Sequence, residues 1–317
     1  MQTYQRLGSL RRSAAAVALL ATGLLWALFP AGASAAPPTR PTPCTVEINN
    51  NVTTLYHSVA AAQGAARPGS TLSVIGTCAG ITEITKNLTL HGKTILRSST
   101  PTVEGTGTGR VLIVDHGVTL NLAGLVITGG RNNNADANGS GIFNNGGTVN
   151  LDSGSITGNT GNCGGGIYNL LGTVNLNGGS ISGNTATGGF GSRGEGGGIC
   201  NELGTVNLNG GTISGNTAGG YGGGIFVESS NTTHGLVIGV VNVNGGSITG
   251  NTAVVDGGGI YSGGGQVVLN GGSITGNTAG RYGGGIENNS FKQLSGSGTT
   301  ITGNSPNNVD PPYLNYG

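Results

Sequence analysis

Charge is the scarcest commodity in this chain: Asp, Glu, Lys and Arg make up 8% of 317 residues, and nowhere do they form a run. A nucleic-acid face needs clustered Lys and Arg, so that partner class is excluded. The twelve acids stand singly, with no Asp-Asp, Asp-x-Asp or Glu-x-Glu pair. This weakens a carbohydrate-cleaving reading without removing it, because folding can bring distant acids together. No two of the four histidines have metal-ligand spacing, so neither metal nor cofactor is expected. The Gly-Gly-Gly runs lack the Lys-Ser or Lys-Thr of a phosphate loop and the following Asp of a calcium-binding roll. Apolar spacing of three and four is missing, which excludes helical solenoids, and 67 glycines without a Gly-X-Y period exclude collagen.

What the chain has is a repeat. Gly172-Thr-Val-Asn-Leu-Asn-Gly-Gly-Ser-Ile-Ser-Gly-Asn-Thr-Ala186 is followed after a loop by Gly196-Gly-Gly-Ile-Cys-Asn201, and close copies begin at Gly147, Gly204, Gly239 and Gly265. The central isoleucines Ile156, Ile181, Ile213, Ile248, Ile274 and Ile301 recur 25 to 35 residues apart, with the variation confined to loops. Such units cannot bury an apolar face alone and must stack. Each copy holds three short runs of period two, exemplified by Val174-Asn175-Leu176, Ser180-Ile181-Ser182 and Gly198-Ile199-Cys200. Three strands per unit with Asn-Gly-Gly and Gly-Asn-Thr corners describe one coil of a parallel β-helix. Val, Leu and Ile point inward, and Asn159, Asn184, Asn216, Asn251, Asn277 and Asn304 stack as a corner ladder.

The pairing of Ile-Thr-Gly-Asn-Thr-Ala with Gly-Gly-Gly-Ile-Tyr-Asn resembles the passenger repeats of polymorphic membrane protein adhesins, within the class of right-handed parallel β-helix, pectin-lyase-like proteins. The resemblance covers roughly residues 54–306 and implies a fold: all-β, a right-handed single-stranded parallel β-helix with a short N-terminal capping helix. Unlike those adhesins, the chain is expected to carry no membrane barrel after the last coil. For function it leaves several classes open, since such coils carry lyases, hydrolases, adhesins and structural proteins.

In chain order, residues 1–35 read as a secretory signal: Arg6, Arg11 and Arg12 precede the apolar run from Ala14 to Phe29, and Ala33-Ser34-Ala35 offers a cleavage site. The run has 16 residues, short of the roughly 20 that span a bilayer, so no transmembrane segment is expected after cleavage. Residues 36–52 form a leader, 53–70 an N-terminal cap with a helix from Thr53 to Ala66, 71–306 the β-helix and 307–317 a proline-bearing tail that ends the ladder. In an exported protein Cys44 and Cys78 pair as a disulfide that pins the leader to the first coil. Cys163 and Cys200 are offset by five residues relative to their coils' isoleucines, about 16 Å of extended chain, and are expected to stay unpaired.

The loops between the Asn corner and the Gly-Gly-Gly strand emerge on one edge, where Arg131, Asp136, Phe190, Arg193, Glu195, Tyr221, Asp256, Arg281 and Tyr282 form a candidate binding edge for a polysaccharide or a surface protein. No catalytic residue stands out; Asp115-His116-Gly117 reads as a turn between coils. The leading reading is an exported, non-enzymatic, adhesin-like scaffold. A polysaccharide lyase or hydrolase assembled across coils is the alternative, to be favoured if acids and a basic residue converge. The paired hydroxyls beside each isoleucine, such as Ser180 and Ser182, leave ice or crystal-surface binding as a third reading.

Overall fold

A computed structural model describes residues 43–95, 99–132, 138–188, 193–232, 235–289 and 294–310. The chain is a parallel β-helix. Equivalent strands of successive coils pair in parallel and in register, so each backbone N–H and C=O meets a partner one coil above or below. The first sheet runs through ten strands, among them Thr148–Leu151, Thr173–Leu176, Thr205–Leu208 and Val240–Val243, with Val149, Val174, Val206 and Val241 stacked one on the next. The second has nine strands and carries the isoleucine column from Ile127 through Ile156, Ile181, Ile213, Ile248 and Ile274 to Ile301. The third, also of nine, stacks Ile142, Ile167, Ile199, Ile225, Ile260 and Ile286. These columns meet in one continuous aliphatic core. Sequence reading missed a fourth side: Thr160–Gly161, Thr185–Ala186, Thr217–Ala218, Thr252–Ala253 and Thr278–Ala279 form a five-stranded sheet directly after the Asn corner.

The corners are held by side-chain amides. Asn184 Nδ2 donates to Asn216 Oδ1 at 3.0 Å and to the Ile156 carbonyl at 2.9 Å, and the same pattern carries the buried row from Asn159 to Asn304. A shorter buried row, Asn144 to Asn169 to Asn201, donates in the same direction. Two outer rows donate the opposite way: Asn242 to Asn207, Asn175, Asn150 and Asn121, and Asn270 to Asn244, Asn209, Asn177 and the Asp152 carboxylate. Buried amides in such rows satisfy each other and also tie adjacent coils.

Four expectations need correction. The helix is Val59–Ala65, capped by Ser58, whose Oγ accepts from Ala61 N; Asn51–Tyr56 is a strand instead. The β-branched run Val52-Thr53-Thr54 favours extended backbone, and the helix waits for its serine cap. Within the segment assigned to the leader, Thr45–Ile48 is a strand, antiparallel to both Asn51–Tyr56 and Ser70–Ile75. At the other end the ladder continues past residue 306, since Val309–Asp310 pairs with Ile286–Glu287. Lastly, Cys163 and Cys200 are joined by a disulfide, with Cα atoms 5.7 Å apart. The chain between Cys163 and Ile167 is not extended: Gly164 (φ +64°) reverses it so that Cys163 lies over the outer face of the third sheet. Cys44 and Cys78 form the second disulfide, across 34 residues. Asp115-His116-Gly117 is a turn, with Gly117 at φ +73°. No helix among the described residues is long and apolar enough to cross a membrane.

Candidate functional edge

Five coils leave the fourth side through a loop and re-enter the third sheet at a Gly-Gly-Gly corner. At Gly196 (φ +63°) a Cβ would overlap the Ile199 carbonyl oxygen, so the corner folds tightly and throws the preceding loop over the sheet's outer face. The loops and the outward side chains of the third sheet thereby make a second apolar cluster, Cys163, Tyr168, Cys200, Phe226 and Tyr261, with Phe143, Leu170 and Tyr221 packed against it. Tyr261 stacks on Phe226 at 5.6 Å between ring centroids and meets Tyr221 at 4.6 Å. The five residues named first are buried, so their rings hold loops in place, whereas Tyr221 is only partly buried and reaches the surface with the residues above them.

Those residues fall into two groups, one around Tyr221 and one around Asp256. Arg193 Nη1 donates to the Tyr221 hydroxyl at 2.8 Å with its guanidinium carbon 5.8 Å from the ring centroid, while the Arg193 N–H donates to Glu195 Oε1. One loop on, the Arg281 guanidinium pairs with buried Asp256 at 2.8 Å and lies 5.7 Å from the Tyr282 ring centroid, and Tyr282 N–H donates to the second Asp256 oxygen. Tyr282 and, in the preceding coil's loop, Val254 are exposed. The structure therefore brings together Arg193, Glu195, Tyr221, Asp256, Arg281 and Tyr282. Arg131 is not part of this assembly; it pairs through its backbone with Thr160, in an earlier coil. Asp136 and Phe190 lie outside the described residues.

Glu287 is not among the edge residues read from the sequence, yet its surroundings set it apart. It follows core residue Ile286, stacks between Tyr261 and Asp310 in register, and is 8% exposed. Its Oε2 is buried with no hydrogen-bond partner. Burial, then the Asp310 and Asp256 carboxylates, push its pKa up to about 7, with Arg281 pulling the other way. Three acids remote in sequence and one arginine thus gather at one end of the edge, and only alignment of the coils on their Gly-Ile corners could have shown it. The linkage has a definite sign. The folded pKa lies above the ordinary 4.5, so the native state keeps a proton that the unfolded chain has released between pH 4.5 and 7. Stability conferred by that proton is therefore full near pH 4.5 and lost by pH 7 and above. Melting temperatures across pH 5 to 8 should show wild type gaining about 1–2 kcal/mol on acidification relative to Glu287→Gln. Parallel curves for the two proteins would remove Glu287 from this role.

No family model matches the chain, and no curated protein or solved structure matches it. Function must be read from the edge itself.

Proposed function

We propose that the protein is an exported, adhesin-like β-helix that binds a glycan along the Arg193 to Tyr282 edge. The observation that carries this reading is the contiguous set of guanidinium–ring pairs, Arg193 with Tyr221 and Arg281 with Tyr282, on loops anchored by a buried aromatic cluster and by Asp256. Exposed ring faces give a sugar its apolar contact, and oriented N–H donors read its hydroxyls. The two disulfides suit an oxidising compartment and support export.

Binding to an array of polysaccharides and cell-wall glycans tests it. Tyr282→Ala and Tyr221→Ala should each weaken capture by about tenfold, the effect of losing roughly 1.4 kcal/mol of ring contact. Undiminished capture by both variants would move the site off this edge. One observation favours a second reading, a glycoside hydrolase: Asp256 and Asp310 flank Glu287, Arg281 pairs with Asp256, and Glu287 with a pKa near 7 suits a general acid. Release of reducing sugar in the same wells, lost in Glu287→Gln, would establish it.

A further inference from the structure

Three consecutive coils break the repeat at one corner, on the far side of the third sheet from the loop edge. Where that sheet hands the chain to the first, two coils make the turn with glycine: Gly146 at φ +73° and Gly264 at φ +136°. In two coils between them the equivalent residues are Leu171 (φ +57°) and Leu203 (φ +61°). Left-handed backbone is strained for leucine, whose Cβ crowds the following carbonyl. The next coil inserts an antiparallel hairpin at the same place, Ser230–Thr232 with Gly235–Val237. Its base sits on the Leu203 corner: Leu203 N–H donates to the Glu228 carbonyl at 3.3 Å, and Val240 N–H donates to the Gly204 carbonyl at 2.9 Å. Leu171 and, on the hairpin, Leu236 are more than half exposed.

Acids accompany the leucines. Glu202 and Glu228 stand in register on adjacent strands, an arrangement that repels. Glu202 accepts the Tyr168 hydroxyl at 2.6 Å, and among the described residues neither carboxylate has a Lys or Arg partner. Burial, then Glu202 and Glu195, raise the Glu228 pKa, as unmatched negative charge requires. Glycine makes this turn without strain in sister coils, so backbone geometry does not call for the leucines. Strain kept at such a place points to use.

We propose that this corner docks a second protein, received as a segment that sets apolar side chains against Leu171 and Leu203 and lysine or arginine beside Glu202 and Glu228. Charge complementarity selects that partner. Another copy of this chain fits poorly, because its few basic residues form no run. The proposal is independent of the glycan edge.

A labelled synthetic peptide alternating leucine and lysine, with a leucine–glutamate peptide as control, tests it by fluorescence anisotropy against the whole protein. The lysine peptide should bind and the glutamate peptide should not, with affinity falling as salt rises. The double variant Leu171→Gly, Leu203→Gly should weaken binding by at least about tenfold while melting no lower than the parent. Glu202→Gln with Glu228→Gln should weaken it similarly and flatten the salt dependence, and Tyr282→Ala should leave it unchanged. Absence of binding by the lysine peptide, or full binding by the glycine variant, would overturn the proposal. So would a lower melting temperature of the glycine variant, which would give the leucines a structural role, or loss of binding in Tyr282→Ala.

Discussion

Ile213→Asp should abolish the folded state of the central coils. Ile213 is fully buried, stacked between Ile181 and Ile248 in the second sheet, and surrounded by the aliphatic columns of the other two. A carboxylate there has no cation or donor to meet. It must either lose its charge or bring water into the core, and a loss of at least about 4–5 kcal/mol follows. In a solenoid each coil is stabilised by its neighbours, so the damage spreads along the stack. Ser214→Asp is the matching control: one residue further along the same strand, the side chain points out, and the change should stay within about 0.5 kcal/mol. Thermal melts followed by circular dichroism would read both. A variant at position 213 that melts like the parent would mean that inside and outside have been interchanged.

Asn216→Ala should be the most damaging removal of a polar group. The Asn216 side chain lies in the middle of the buried row, accepting at 3.0 Å from both the backbone N–H and Nδ2 of Asn184, and donating to Asn251 Oδ1 and the Ile181 carbonyl. Its removal leaves the Asn184 N–H and the Ile181 carbonyl without their partners in a site closed to water, and opens a gap as well. At about 1–3 kcal/mol for each stranded group, the expected loss is on the order of 3–5 kcal/mol. Truncating Asn209, in an exposed outer row, strands nothing that water cannot reach and should cost under about 1 kcal/mol. Chemical denaturation of the two variants side by side would show the contrast. Similar losses for both would show that the buried row is not what ties the coils.

How far the sequence could be read depended on what each residue answers to. Val174, Leu176, Ile181 and Ile199 answer to the pleat, whose period of two fixes their side, so the core columns and the Asn corner were legible in one copy and repeated in five. The pairing of Cys163 with Cys200 answers to a left-handed glycine, and counting residues along an extended chain overestimates that gap. Thr53 to Tyr56 could follow helix or strand by apolar spacing, and β-branching decided for strand. The edge residues were named from loop position alone. Their grouping, and the meeting of Glu287 with Asp256 and Asp310, depends on register between coils remote in sequence. The strain at Leu171 and Leu203 is a property of backbone angles that no composition reveals.

The opposed directions of the asparagine rows have an electrostatic consequence. Each row is a chain of aligned amide dipoles, and a lone row would build up opposite partial charges at its two ends, as a long α-helix does. Here two rows donate toward the C-terminal end and two toward the N-terminal end, so their axial moments oppose one another. Adding a coil lengthens rows of both senses. The stack can therefore grow by duplication of its repeat without accumulating an axial field from these amides, and its ends need shielding from strand pairing but no counter-charge for the rows.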